Sequence, residues 1–369
     1  MPLFNPFESD PRAIVNSVIG WDIGGAHLKF SHLGPDGSLS ITHQFPCPLW
    51  QGLEQLRVAI RSALSLNAFQ LSTTTHAITM TGELVDLFEN RLEGVTAIAA
   101  TLTDLLGEDL WYFCGDNGFK RYQQLDRVDF DKISSANWMA TGLWTARHIP
   151  TGLLIDIGST TTDLLLFKDY SLLNRGYTDH ERMRYDELLY TGIIRTPAMM
   201  MSERAPIRGF WIKPMAEHFA TASDIYRITG ELEEETDQMP TTDSGPKTWV
   251  GSQRRLARLF GLDATELEDD ETRHIADYLR AQQLGQILGA ARIQLSRSHI
   301  PKSAPIVGAG VGRFLVRALA RSLERPYQDF FDFFPINGPK PSAGIANYAP
   351  AVSVACLLHS TLKQNDAAH

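Results

Sequence analysis

The chain has 369 residues, of which 43% are hydrophobic, 21% charged and 9% aromatic; this excludes a disordered tail, a fibre or a small disulfide scaffold and suits two or three folded domains. Its 34 Lys and Arg stand against 43 Asp and Glu, a formal charge of −9, which repels a phosphate backbone and excludes nucleic acid as an expected partner. Three cysteines, Cys47, Cys114 and Cys356, offer neither a zinc quartet nor a disulfide framework and suit a reducing compartment.

In chain order, residues 1–16 carry Pro2, Pro6, Glu8, Asp10 and Pro11 and read as a flexible lead-in, not as a signal peptide. No run reaches the roughly 18 apolar residues of a membrane helix, so neither membrane nor export is expected and the location reads as cytoplasmic. Val18 to Phe30 is an apolar strand that ends at Asp22, turns on Gly24 and Gly25 and continues as a second strand. Gly34-Pro35-Asp36-Gly37 then turns the chain into a third strand, Leu39 to Phe45. Leu53, Leu56, Ile60 and Leu64 recur at helical intervals, and a strand over His76 to Met80 precedes a helix over Gly94 to Leu106. Alternating strands and helices make the class α/β.

Gly152 to Phe167 repeats the opening unit: apolar strand, Asp156, glycine turn at Gly158, second apolar strand. Asp22 and Asp156 lie 134 residues apart, a whole-domain spacing that predicts a duplicated fold with two equivalent hairpins facing one cleft. The expected division is 17–150 for the first domain and 151–369 for the second with a helical insertion. Helices are predicted over Met215 to Thr229, Ser252 to Phe260 and Asp269 to Arg297, with Glu231 to Pro246 reading as a mobile rim loop. A short strand, Ala304 to Val307, runs into Gly308-Ala309-Gly310-Val311-Gly312. Helices over Arg313 to Leu323 and Ala349 to Leu362 close the chain.

Glycine at such turns lets backbone N–H groups approach an anion closely, and phosphate is the natural ligand. Gly24, Gly25 and His27 form one expected cradle. Gly158, Ser159, Thr160, Thr161 and Thr162 form a second, and Gly308, Gly310 and Gly312 a glycine-rich helix N-terminus. Asp22 and Asp156, at strand ends beside these turns, are the expected ligands of Mg²⁺ or another divalent ion, and Lys29 adds a point positive charge. Glu83 is the candidate general base, with Asp156 and His27 behind it. Arg182 and Arg195 flank Tyr190 and could clamp carboxylate or diphosphate, and Asn137, with Trp138 beside it, is a candidate for contact with an aromatic substrate.

The three glycine elements in this order resemble the acetate and sugar kinase, heat-shock 70 and actin superfamily, which implies an actin-like fold of two domains around a central cleft. A wider set of motifs is similar to the hydantoinase/oxoprolinase-like proteins of tetrahydromethanopterin-linked C1 transfer. It comprises Asp22-Ile23-Gly24-Gly25-Ala26 with Lys29, Met80-Thr81-Gly82-Glu83-Leu84, Asp156 to Asp163, Tyr190-Thr191-Gly192 with Arg195-Thr196-Pro197, and Gly308 to Gly312. His27-Leu28 stands where Asn-Thr is expected in that family. The resemblance implies an ether-forming transferase of methanofuran or methylofuran biosynthesis. Such an enzyme joins an aminomethylfuran-methyl diphosphate to the phenol of a γ-glutamyl-tyramine or tyrosine analogue and releases diphosphate. Its partners are then small molecules, with assembly as a homodimer allowed. The competing readings are an ATP-dependent small-molecule kinase or a hydantoinase-like hydrolase on the same cradles, and a nucleotide-sensing scaffold of the heat-shock kind.

Overall fold

The computed structural model describes residues 16–65, 74–334 and 344–367, so the expected lead-in lies outside the described residues except for its last position. Two compact units emerge, one made of Met1–His148 with Phe331–His369 and the other of Ile149–Phe330. In chain order the first begins with β1 (Ser17–Ile23), β2 (His27–Leu33), β3 (Leu39–Pro46), α1 (Leu53–Ser65), β4 (Thr74–Met80) and α2 (Arg91–Leu106). It continues with β5 (Leu110–Phe113), β6 (Phe119–Arg121), α3 (Arg127–Ile133) and α4 (Asn137–His148). The second unit holds β7 (Gly152–Ile157), β8 (Thr162–Lys168), β9 (Ser171–Leu172), α5 (Asp179–Arg184), β10 (Leu188–Leu189), β11 (Ala205–Ile207) and β12 (Phe210–Ile212). Then come α6 (Ala222–Thr229), α7 (Trp249–Leu259), α8 (Asp269–Ser296), β13 (Ile306–Ala309), α9 (Arg313–Ser322) and β14 (Tyr327–Asp329), before α10 (Ala349–Ala367) returns to the first unit.

The first sheet runs β3-β2-β1-β4-β5-β6 and the second β10-β8-β7-β13-β14, with β9 also on β8. In each, an antiparallel hairpin meets a parallel strand on its other side: β1 pairs antiparallel with β2 and parallel with β4, and β7 does the same with β8 and β13. The apolar positions read from the sequence are those that build the cores. Trp21, Ile23, Leu28 and Phe30 bury with Leu56, Ile60, Val95 and Ile98 in one unit. Leu153, Ile155, Leu164 and Leu166 bury with Ile275, Leu279 and Ile287 in the other.

Three expectations are corrected. The second domain does not run to the C-terminus, because α10 packs on β1, β2, β4 and α4 of the first unit. The fit there is close: a Cβ on Gly20 would stand 2.0 Å from the Ala351 carbonyl oxygen, which also accepts from Ser31 Oγ at 2.9 Å. The stretch Ile345–Gln364 is long and apolar enough to cross a membrane by length and composition, and 78% of its most apolar 18-residue window is buried inside the protein. The helix expected from Met215 starts only at Ala222, where Thr221 and Asp224 form a capping box, the Thr221 N–H donating to Asp224 Oδ2 at 3.1 Å. The stretch 231–246 is tied down and not a free rim, since Arg227 holds Asp237 at 2.7 Å and Arg255 holds Asp243 at 3.0 Å.

Among the core polar groups, Trp21 Nε1 donates to His76 Nδ1 at 3.1 Å. Burial lowers this imidazole to about 4, against a smaller opposing pull from Asp109. His76 is therefore neutral when folded but takes a proton near 6.5 when unfolded, so its stabilisation is lost as pH falls from about 6.5 to about 4. Burial lowers His32, His43, His148 and His359 as well. His76→Gln, which keeps an acceptor for the indole, is expected to flatten part of the fall in Tm between pH 7 and 4. An equally steep fall in the variant would count against this assignment.

Candidate functional site

The second hairpin gives the clearest anion cradle. Its turn closes with the Gly158 N–H donating to the Thr161 carbonyl at 2.9 Å. Among the described residues, the N–H groups of Ser159, Thr160 and Thr161 donate to no backbone carbonyl. Three consecutive donors and three half-buried hydroxyls thus share one short turn, the arrangement in which a backbone nest takes phosphate. Thr162 does not belong to this donor set. It is the first residue of β8, fully buried, and its hydroxyl donates to the Thr191 carbonyl at 2.7 Å.

The turn is clamped from behind. Ile193 N–H donates to the Gly158 carbonyl at 3.0 Å, and the N–H groups of Ile194 and Arg195 both reach the Ser159 carbonyl, at 3.0 and 2.9 Å. Gly192 makes this approach feasible, since a Cβ there would lie 2.6 Å from Ser159 C and Thr160 N. Gln283 of α8 donates to Thr191 Oγ1 at 2.7 Å and to the Gly192 carbonyl at 2.9 Å, while Thr196 Oγ1 accepts from the Gly192 N–H at 2.7 Å. Tyr190 and Arg195 are exposed on either side of this clamp.

Asp156 is half-buried near the end of β7 and directly opposite Asp163 of β8. Arg182 is not the exposed clamp expected of it. It is 1% exposed and donates to Asp163 Oδ1 at 2.8 Å and to the Glu187 carbonyl at 3.1 Å, so its charge serves the carboxylate opposite Asp156. The three glycines 308, 310 and 312 are explained by packing. Cβ atoms there would meet Tyr327, Asp156 Oδ1 and Ile157 respectively, the second at 2.3 Å and at a φ of +79°.

The first hairpin repeats the turn. The Gly24 N–H donates to the His27 carbonyl at 3.0 Å, matching Gly158 and Thr161, and the N–H groups of Gly25 and Ala26 have no backbone carbonyl among the described residues. A Cβ on Gly25 would press within 2.8 Å of Val85 Cγ1. The His27 side chain is buried and adds no exposed donor. Asp22 and Lys29 are register partners, so both side chains lie on one face of the sheet. Asn137, the first residue of α4, donates from Nδ2 to Asp22 Oδ1 at 3.3 Å, which brings together two residues put forward separately.

Glu83, expected to act as a base on the substrate, is 1% exposed, and its Oε1 accepts from Ser135 Oγ at 3.1 Å. A carboxylate so enclosed does not touch a substrate in this conformation. Ser135, which the sequence reading missed, has a φ of +52°; the only sequence signal was a Ser-Ser pair ahead of Asn137. Among the described residues no group of three or more His, Cys, Asp and Glu side chains is placed to hold a metal ion. Magnesium needs no such group, because one or two carboxylates, substrate phosphate oxygens and water complete its shell. Asp156 beside the loop hydroxyls fits that requirement.

Two sheets, each opening on the same aspartate-turn hairpin and flanked by the same parallel strand, define a protein of the actin-like duplicated fold. In agreement, a nucleotide-free structure of acetone carboxylase superposes with a TM-score of 0.58, covering 92% of this chain and 70% of that one at 10% identity. The motif resemblance to methanofuran biosynthesis is supported by two curated relatives. The chain is 28% identical over 263 residues to (4-{4-[2-(γ-L-glutamylamino)ethyl]phenoxymethyl}furan-2-yl)methanamine synthase of Methanocaldococcus jannaschii, covering 71% of this chain and 77% of that protein. It is 31% identical over 124 residues to the protein of the same name from Methanococcus vannielii, covering 34% of this chain and 55% of the relative. No protein-family model matches the chain.

Proposed function

We propose that this chain is an enzyme, a transferase that makes the furylmethyl aryl ether named in its curated relatives. The observation that carries the reading is the similarity to the Methanocaldococcus synthase over 71% of the chain; the turn 158–161, with its three N–H groups and three hydroxyls, supplies matching chemistry. The product name describes a phenol oxygen joined to a furylmethyl carbon. An aminomethylfuran-methyl diphosphate and a γ-glutamyl-tyramine phenol are the complementary halves.

In this reading Ser159, Thr160 and Thr161 take the diphosphate, and the exposed guanidinium of Arg195 adds charge beside them. When bound, a divalent ion held by Asp156 would supply charge neutralisation for the leaving group. The methylene–oxygen bond breaks with its electron pair passing to diphosphate, and the furan ring oxygen delocalises the positive charge left on carbon. The phenol oxygen forms the new bond and loses its proton. Free phenol has a pKa of about 10, so a carboxylate within reach assists. Glu83 and Asp22, 1% and 5% exposed, are both too enclosed to take this role in the described conformation. Magnesium, diphosphate release and a cytoplasmic location belong to the proposal, the last supported by three free, buried cysteines.

Titration calorimetry with magnesium diphosphate and with magnesium ATP tests the reading against the kinase alternative. Binding of diphosphate, and of the furylmethyl diphosphate more tightly still, is expected. Tight ATP binding without any response to diphosphate would overturn it.

A further inference from the structure

Helix α8 buries Ile275, Leu279, Ile287 and Ala291 in the core of the second unit, and Gln283 stands in the middle of that stripe, itself fully buried. An amide at such a position costs stability unless its donors and its acceptor are matched. Those of Gln283 are matched within this unit. Nε2 donates to Thr191 Oγ1 at 2.7 Å and to the Gly192 carbonyl at 2.9 Å, and Oε1 accepts from the hydroxyl of Tyr226, a fully buried residue of α6. Burial pushes the Tyr226 phenol well above its usual pKa, so it keeps the proton it donates. The reverse setting of the amide would turn its oxygen onto the Gly192 carbonyl, acceptor against acceptor, so the direction of the amide is fixed.

What the amide holds lies directly behind the anion turn. The Thr191 carbonyl accepts from Thr162 Oγ1, at the end of the turn, at 2.7 Å. A Cβ on Gly192 would stand 2.6 Å from Ser159 C and Thr160 N, inside the turn. The Gly192 carbonyl accepts from Thr196 Oγ1 at 3.1 Å as well as from Gln283, and the N–H groups of residues 193–195 then bind the Gly158 and Ser159 carbonyls. A single residue therefore separates the Gln283 amide from the backbone that carries the three N–H groups.

We propose that Gln283 is a positioning residue: held by Tyr226, its amide pins Thr191 and Gly192 against the back of the turn 158–161 and so sets the direction of the Ser159, Thr160 and Thr161 N–H groups. The inference rests on the function proposed above for that turn, the binding of diphosphate. An amide that only fills the core makes a different forecast, a loss of stability with no change in anion affinity.

Gln283→Met keeps the length and approximate volume of the side chain without its hydrogen bonds, and Tyr226→Phe removes only the hydroxyl that sets the amide. Both are compared with the unmodified chain by calorimetry with magnesium diphosphate, by steady-state kinetics, and by hydrogen exchange over residues 190–196. Diphosphate affinity is expected to fall about tenfold in Gln283→Met and about threefold in Tyr226→Phe, the scale of one or two lost hydrogen bonds. KM for the furylmethyl diphosphate should rise in step while KM for γ-glutamyl-tyramine stays within about twofold. The amides of Ile193, Ile194 and Arg195 should exchange faster, with β7 and β8 keeping their protection. Unmodified diphosphate affinity in either variant, or unchanged protection at 193–195, would overturn the proposal. No diphosphate binding by the unmodified chain would instead contradict the proposed function, while exchange at 193–195 still decides whether Gln283 holds the turn.

Discussion

Asp156→Asn is expected to lower kcat about a thousandfold, a loss of the size seen when a key stabiliser of developing charge is removed, while changing folding stability by no more than ~0.5 kcal/mol. The asymmetry follows from what surrounds the residue. Its register partner Asp163 is ion-paired with the buried Arg182, so two carboxylates can face each other without both charges standing uncompensated. Gly310 keeps a space free of Cβ against Asp156 Oδ1, and asparagine occupies that space with the same outline. What the substitution removes is the negative charge that would hold a divalent ion beside the turn. Steady-state rates across a magnesium series check this. An unchanged kcat would take Asp156 out of the reaction.

Gly192→Ala is expected to lose about 2 kcal/mol of stability in urea denaturation, within the range for forcing extra atoms into a packed site, and to weaken diphosphate binding at least tenfold. The new methyl would overlap Ser159 C and Thr160 N at 2.6 Å. Those are backbone atoms, so no side-chain rotation relieves the clash and the turn must shift. Its anchor is the set of bonds from Ile193, Ile194 and Arg195 onto Gly158 and Ser159, so the nest loses the geometry that aligns its three N–H groups. Wild-type stability together with wild-type diphosphate affinity would show that the turn does not depend on this clamp.

The hairpins were legible because their pattern is local. An apolar strand, an aspartate and a glycine turn need no distant partner to be read, and their recurrence at Asp22 and Asp156 exposed the duplication. Helices α1, α2, α7 and α8 were also legible to within a few residues, since each buries one stripe at helical spacing. Helix α4 was not. It packs closely with α10 and buries Trp138, Met139, Ala140, Thr141, Gly142, Thr145 and Ala146, so apolar positions ring it and periodicity gives little signal. The return of α10 to the first unit depends on a fit between Gly20 and Ala351 across most of the chain, which no local rule encodes.

In the site, the turn residues Ser159 to Thr161 and the carboxylates could be named from sequence, because glycine, hydroxyl and acid types announce their chemistry. Their division of labour could not. The enclosure of Glu83, the commitment of Arg182 to Asp163 and the bond from Thr162 to Thr191 are properties of packing. Ser135 and Gln283 are ordinary residue types whose roles arise from a bond to Glu83 in one case and a buried amide in the other.

The stoichiometry of a single reaction decides whether the chain makes the ether by displacing diphosphate: purified protein with the furylmethyl diphosphate, γ-glutamyl-tyramine and magnesium, following ether by mass spectrometry and diphosphate by phosphorus NMR. One diphosphate released for each ether formed, with no nucleotide required, is the expected result. Ether formation that depends on ATP and yields ADP, or diphosphate released with the phenol left unchanged, would contradict it.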